Sequence, residues 1–334
     1  MKAIVLEGLN QPLTVKDIDK PTPKPGEVLV QLKAASLNRR DWWITQGKYP
    51  GIAYPAVIGS DGAGTVVEAG SDADSNWIGK DVVIYPARGW GESTEHQSKD
   101  FNIIGLPPDQ GTLAEYIAVP VTDIQAKPMH LDFEQTATLP VAGLTTFRAL
   151  FTRGQAKKED KVLITGVGGG TGVFALQYAL AAGCQVFVTS GSAEKIERAR
   201  KLGASAGVNY KAQDWAEQLH QLSGGGFDVI LDSALGQGFE KLIDICKPGG
   251  RIVFWGGTAG SIPELNGRKI FWNHISILGT TLGAPAEFEQ MLQFIAEHKI
   301  EPVIDEIFPL AEAEKAIRKM DDSSQFGKLV LRIG

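Results

Sequence analysis

The chain has 334 residues, with 33 Lys and Arg against 39 Asp and Glu, a net charge of −6. At roughly 150 residues per domain this length suggests two domains, and a composition that is 43 % hydrophobic and 22 % charged supplies a real core with no sign of disorder. The acidic balance argues against nucleic acid or an anionic membrane as a partner, since both favour Lys/Arg-rich surfaces. No apolar run approaches the ~20 residues of a membrane-spanning helix, and MKAIVLEGL at the N-terminus lacks the apolar core and cleavage site of a signal peptide. Cys184 and Cys246 allow one disulfide at most and no multi-Cys zinc site. The expectation is a cytoplasmic protein.

In chain order, residues 1–123 read as β-rich. MKAIVL, VLVQLKA (28–34), GTVVEAG (64–70), DVVIY (81–85) and AEYIAV (114–119) are short β-branched runs, separated by turn clusters such as KPTPKPGE at 20–27. This pattern predicts a small barrel-like β domain. Residues 86–111 form a long polar loop, a length often tied to function. From about residue 130 strands alternate with helices. Strands are predicted at 161–165, 184–190, 207–210, 227–233 and 251–256, and helices at 171–182, 193–202, 212–222 and 237–246, the pattern of a parallel sheet with crossover helices. Two further helices follow, one from Pro285 and one carrying Leu310, Ala313, Ile317 and Met320 on one face, before a last strand, KLVLRIG. The boundaries expected are 1–123, 124–270 and 271–334, with the last segment returning to complete the first domain.

VLITGVGGGTGVFALQ at 162–177 carries the clearest chemistry. An apolar strand runs into a Gly-rich turn and then into a helix with Val173, Leu176 and Leu180 on one face. Glycine lets the backbone approach a diphosphate, and a helix N-terminus offers free N–H groups and the positive end of its dipole. The spacing is Gly166-x-x-Gly169-x-x-Gly172, neither the common G-x-G-x-x-G nor a P-loop. Gly166, Gly169, Gly170, Thr171 and Gly172 are therefore expected to hold a dinucleotide diphosphate. NAD-binding folds place Asp or Glu at the end of the second strand. Here that strand ends in Ser190, Gly191 and Ser192, followed by Lys195. Small hydroxyls and a cation suit a 2′-phosphate, so the expected cofactor is NADPH.

These features together resemble the medium-chain dehydrogenase/reductase superfamily over essentially the whole chain. IGSDGAGTV (58–66) resembles the superfamily's G-H-E-x-x-G-x-V signature in a zinc-free form. LPVAGLTTFRAL (139–150) resembles the segment entering the nucleotide domain, and VNYK (208–211) and FGKLVL (326–331) resemble the quinone oxidoreductase branch. The resemblance implies an α/β fold, a Rossmann-type doubly wound parallel sheet joined to a GroES-like β-barrel domain, with the active site in a cleft between the two. It also implies a homodimer, formed through the strand near 274–281. Further cofactor roles carried over are Thr145 near the carboxamide, Gly256 and Gly257 near the nicotinamide half, and Tyr210 and Lys328 near the adenine-ribose phosphate.

Where zinc alcohol dehydrogenases place metal ligands, this sequence has Asn38 for the first Cys, Ser60 for the His, Asp61 for the nearby Glu and Val141 for the second Cys. A catalytic zinc needs about three N, S or O ligands, so no metal is expected. Without a Lewis acid, reduction of an electrophilic small molecule, a quinone or an α,β-unsaturated carbonyl, becomes the expected reaction. The resemblance nominates Asn38 and Tyr49 as donors to the developing oxyanion, with Asp41 orienting Asn38. Helix capping for Asn38 and turn packing for Tyr49 are the structural alternatives. The rival functions are a zinc-type alcohol dehydrogenase and a non-catalytic NADPH-binding sensor.

Overall fold

The computed structural model describes all 334 residues. The chain forms two units, Met1–Ala142 with Ala284–Gly334, and Gly143–Gly283. Both expected boundaries therefore move. Residues 124–142 stay with the first unit because Ile124–Ala126 pairs with Asp81–Ile84 and because the Val141 N–H donates to Asp61. Residues 271–283 belong to the second unit because Ser276–Gly279 pairs with Cys246–Phe254.

The first unit is built on a seven-stranded sheet centred on Glu27–Ser36. This ten-residue strand is buried along most of its length and pairs antiparallel with Asp61–Ala69, Tyr116–Pro120 and Lys328–Arg332. The last strand arrives from 290 residues away and also pairs, in parallel, with Ile304–Pro309. Val28, Val30, Leu32, Ile84, Leu329 and Leu331 fill the core beneath, with Ile317 of the last helix and Met320 at its C-terminal end packed onto it. The helix expected from Pro285 runs Pro285–His298 with proline in its first turn, where the missing N–H costs nothing.

The loop 86–111 is more ordered than its composition suggests. Ala87–Arg88 pairs with Asn102–Ile103, and the buried Trp90 meets the Phe101 ring edge-on at 5.5 Å while its indole N–H donates to the Ser93 carbonyl. Arg88 is ion-paired to Asp123.

The second unit is a six-stranded, wholly parallel sheet in the order Ala206–Asn209, Gln185–Ser190, Lys161–Ile164, Phe227–Asp232, Cys246–Phe254, Ser276–Gly279. This is the 3-2-1-4-5-6 order of the doubly wound dinucleotide fold. Its strands read as continuous apolar runs because helices cover both faces: Val162, Leu163 and Ile164, like Val186, Phe187 and Val188, are all buried. Leu163, Phe187, Phe227, Ile230, Phe239 and Ile252 form its core. The sixth strand is the one that the sequence reading leaves out of this sheet.

Cys184 and Cys246 are both free and buried. Burial pushes their thiols up to about 11 and about 12, so neither is a thiolate near neutral pH.

Candidate active site

In the first unit the expected catalytic residues sit at one end of the central strand, and register explains what meets there. Ser36 pairs with Asp61 on one side and with Val330 on the other. In an antiparallel pair, two residues forward on one strand oppose two residues back on its neighbour, so Lys328 comes to lie against Asn38. Its ammonium is buried and donates to the Leu37 carbonyl at 2.8 Å, Asn38 Oδ1 at 2.7 Å and Asp61 Oδ2 at 3.1 Å. Asp61 Oδ2 also accepts from Ser36 Oγ at 2.7 Å and from Asn38 Nδ2 at 2.8 Å, while Oδ1 accepts from the Val141 N–H at 2.8 Å. Every polar atom of the Asp61–Lys328 pair is therefore partnered, which is the condition under which a buried ion pair is tolerated.

This geometry fixes the Asn38 amide. An ammonium only donates and a carboxylate only accepts, so Oδ1 must face Lys328 and Nδ2 must face Asp61. Nδ2 carries two hydrogens, and one of them goes to Asp61. Asn38 is also the residue before helix Arg39–Thr45, and its backbone N–H donates to Asp41 Oδ2 at 2.7 Å. Asp41 thus orients Asn38 through the backbone. Burial, partly offset by Arg40, raises the Asp41 carboxyl to about 6. Arg40 is buried as well, donating to Ser60 Oγ and, at 2.9 Å, to the Ile104 carbonyl.

Tyr49 is half-buried, packs against the core of this unit, and lies under the Arg40 guanidinium at 4.8 Å from its ring centroid. Trp42 and Trp43 pack edge to face at 4.5 Å, and Lys48 sits over the Trp43 ring.

The expectation that Lys328 meets the adenine-ribose phosphate is corrected by these contacts. An ammonium has three hydrogens, and all three point at acceptors of the first unit. The sequence offered only one signal for the pairing, a lysine opening the apolar run LVL at 329–331.

The side chains do not fit a catalytic zinc. Asn38, Ser60 and Val141 bring neither thiolate nor imidazole, both Asp61 oxygens are engaged, and Lys328 already supplies a cation at Asp61. No group of three His, Cys, Asp or Glu side chains assembles anywhere in the chain. His96 is exposed and bonded to the carbonyl of Gln97.

In the second unit the Gly-rich turn fits a dinucleotide diphosphate. Gly166 has φ +65° and Gly168 φ +151°, backbone that side chains disfavour. Gly169 precedes helix Gly170–Ala181, whose first turn includes Thr171 and Gly172 and leaves its N–H groups without helical acceptors. A Cβ on Gly166 or Gly169 would meet nothing within 4 Å, whereas one on Gly172 would lie 3.2 Å from Val167 Cα. The first two glycines thus leave open space for a ligand, and the third permits close helix–strand packing. Thr189 ties the turn down, accepting from the Gly166 N–H at 3.0 Å. Thr146 Oγ1, next to the buried Thr145, donates to the Thr171 carbonyl.

At the end of strand Gln185–Ser190 the expected residues converge. Ser190 Oγ accepts from the Ser192 N–H, and Ser192 caps helix Ala193–Lys201 by accepting from the Lys195 N–H. The Lys195 side chain runs to Gly168, where a Cβ would lie 2.9 Å from its Cδ. A Cβ on Gly191 would lie 2.7 Å from Tyr210 Oη and 3.0 Å from Lys211 Cε. Lys211 is the residue that sequence reasoning missed, although it stands in the VNYK motif. Gly256, at φ +74°, and Gly257 follow the fifth strand of this sheet, and Gly257 lies against Leu235. The Leu235 N–H is in turn fixed by Asp232, which also accepts from Thr165.

A mainly antiparallel β unit with a polar, ion-paired strand end and a parallel 3-2-1-4-5-6 sheet with an open glycine turn are the architecture of the alcohol dehydrogenase-type oxidoreductases. The comparisons agree. The alcohol dehydrogenase GroES-like domain matches residues 24–129, and the zinc-binding dehydrogenase family matches residues 170–297. A zinc-type alcohol dehydrogenase-like protein, YogA, of Leptosphaeria maculans is 38 % identical over 340 residues, covering 96 % of this chain and 95 % of that protein. The acryloyl-coenzyme A reductase of Sulfurisphaera tokodaii is 26 % identical, covering 99 % of this chain and all of that protein. A crystal structure of an NAD-dependent alcohol dehydrogenase superposes with a TM-score of 0.91 at 33 % identity, covering both chains fully. The chain belongs to the medium-chain dehydrogenase/reductase superfamily and is an oxidoreductase of that superfamily. No helix is long and apolar enough to cross a membrane.

Proposed function

We propose that this chain is a zinc-independent, NADPH-dependent reductase of quinones or α,β-unsaturated carbonyls, of the quinone oxidoreductase-like branch. The observation that carries the reading is the Asn38–Lys328–Asp61 cluster, in which Asn38, at the position of the first zinc-ligating Cys of zinc-type relatives, is hydrogen-bonded on both sides of its amide. Bound NADPH supplies the hydride. The residues of this chain supply position and dipoles. Asn38 offers its remaining Nδ2 hydrogen to the acceptor oxygen as negative charge develops there, in a setting already ordered by Lys328, Asp61 and Asp41. Tyr49 provides the second donor from the following loop. Gly166–Gly172 holds the diphosphate, with Thr145, Gly256 and Gly257 toward the nicotinamide half. Ser190, Gly191, Ser192, Lys195, Tyr210 and Lys211 form the 2′-phosphate end, a set of hydroxyls and ammonium groups with no carboxylate to claim a ribose 2′-hydroxyl. The name of the Sulfurisphaera relative, a reductase of an unsaturated thioester, favours a conjugated acceptor.

The names of the other relatives favour an alcohol dehydrogenase, and one experiment separates the two. Chelator-treated protein is given NADPH or NADH with a quinone and an enone separately. Saturable NADPH turnover that survives chelation supports the reductase. Activity that vanishes on chelation and returns with zinc overturns it in favour of the alcohol dehydrogenase.

The edge strand Ser276–Gly279 follows two exposed aromatics, Phe271 and Trp272. We propose this edge as the homodimer contact. Gel filtration with light scattering on Trp272→Ala reads it: a shift from dimer to monomer is expected, and a wild-type monomer sinks it.

A further inference from the structure

We propose that Lys328 is a positioning residue that holds the Asn38 amide in the orientation of an oxyanion donor, its own charge being paired with Asp61. The inference rests on the oxyanion role proposed above for Asn38. Three observations carry it. Lys328 Nζ is 2.7 Å from Asn38 Oδ1, so the ammonium draws electron density toward the amide oxygen and leaves the N–H₂ end more positive. Asp61 takes only one hydrogen of Nδ2, at 2.8 Å, leaving the other to a ligand. Lys328 is 3 % exposed and held by the Leu37 carbonyl and Asp61, so its charge is desolvated and fixed, while Asn38 keeps 8 % of its surface open. Lys328 itself touches no ligand in this arrangement and acts through Asn38.

The test measures a reactant-free oxyanion. 4-Nitrophenolate, in the presence of NADP⁺, reports the donor strength of the site through its affinity and its absorbance shift. Wild type, Asn38→Ala, Lys328→Met and the double variant form a cycle. Lys328→Met is expected to weaken phenolate binding about tenfold or more, the scale of a charge-assisted hydrogen bond. In the Asn38→Ala background the same change is expected to cost nothing further. Lys328→Arg is expected to stay within about threefold of wild type, since it keeps the charge. If Lys328→Met does not fold, Lys328→Met with Asp61→Asn removes both charges together and takes its place in the cycle.

An undiminished phenolate affinity in Lys328→Met overturns the proposal. So does an equal loss with and without Asn38, or a wild type that does not bind the phenolate. A loss of NADPH affinity matching the phenolate loss overturns it as well, and assigns Lys328 to the cofactor. Failure of the reductase reading looks different: no NADPH turnover of 1,4-naphthoquinone or an enone by wild type, with the phenolate cycle intact.

Discussion

Lys328 opposes Asn38 because Val330 pairs with Ser36, and the antiparallel register then brings position 328 against position 38. The residues are 290 apart in the chain and 2.7 Å apart in space. The same register sets Ser36 against Asp61, so one strand end gathers a cation, a carboxylate, an amide and a hydroxyl. The chemistry of the first unit follows from that pairing.

The Asp61–Lys328 pair is buried, and breaking it from either side leaves an uncompensated charge. Asp61→Asn or Lys328→Met alone is expected to lower stability by about 3–5 kcal/mol. The double change is expected to lower it by clearly less than the sum. Urea unfolding of the three variants checks this, and simple additivity would show that the two charges do not interact.

Asp41 makes a pH-dependent contribution whose sign is set by burial. Its folded value, about 6, is above the ordinary aspartate value of 3.8, so the folded state binds the extra proton between those limits. Stability from this group is therefore present below about pH 4 and is lost as pH rises through about 6. The loss is on the order of 3 kcal/mol for a shift of about two units. Asp41→Asn, which can still accept from the Asn38 N–H, is expected to remove this component from the pH profile of unfolding. A profile identical to wild type would mean that Asp41 does not titrate there.

Gly169 leaves room for a methyl group, with φ in an ordinary range. Gly169→Ala is thus expected to fold with a melting temperature within about 2 °C of wild type. If the diphosphate occupies that space, NADPH affinity falls about tenfold or more, because backbone approach is blocked. Fluorescence titration of NADPH measures it. Unchanged affinity would place the diphosphate elsewhere.

Lys211 approaches Gly191 alongside Tyr210. Lys211→Ala is expected to weaken NADPH binding about tenfold while leaving NADH nearly untouched, since only NADPH carries the 2′-phosphate. The preference should also fall with added salt, as expected for an exposed cation. Equal losses for both cofactors would assign Lys211 to general electrostatics.

The glycine turn, the parallel strands and the β-rich N-terminal region were legible in the sequence because each is a local signal. A strand, a turn and a helix written consecutively need no distant partner to be recognised. That Ser190, Gly191, Ser192 and Lys195 lie together was readable for the same reason, as they follow one strand end within six residues. The domain boundaries were less so, since nothing local tells Ser276–Gly279 to join the parallel sheet or residues 124–142 to remain with the first unit.

The contacts of Lys328 were decided by tertiary structure alone. In the sequence it is one lysine before an apolar strand, and its resemblance-based assignment pointed to a phosphate. Register, set by strand pairing over 290 residues, gave it Asn38 and Asp61 instead. Lys211 likewise becomes visible only when strand Ala206–Asn209 is laid beside Gln185–Ser190, which brings it to Gly191. Local backbone chemistry determined the kind of fold and the open glycine turn. Long-range pairing determined which charges meet, because an ion pair depends on distance in space and the sequence records only distance along the chain.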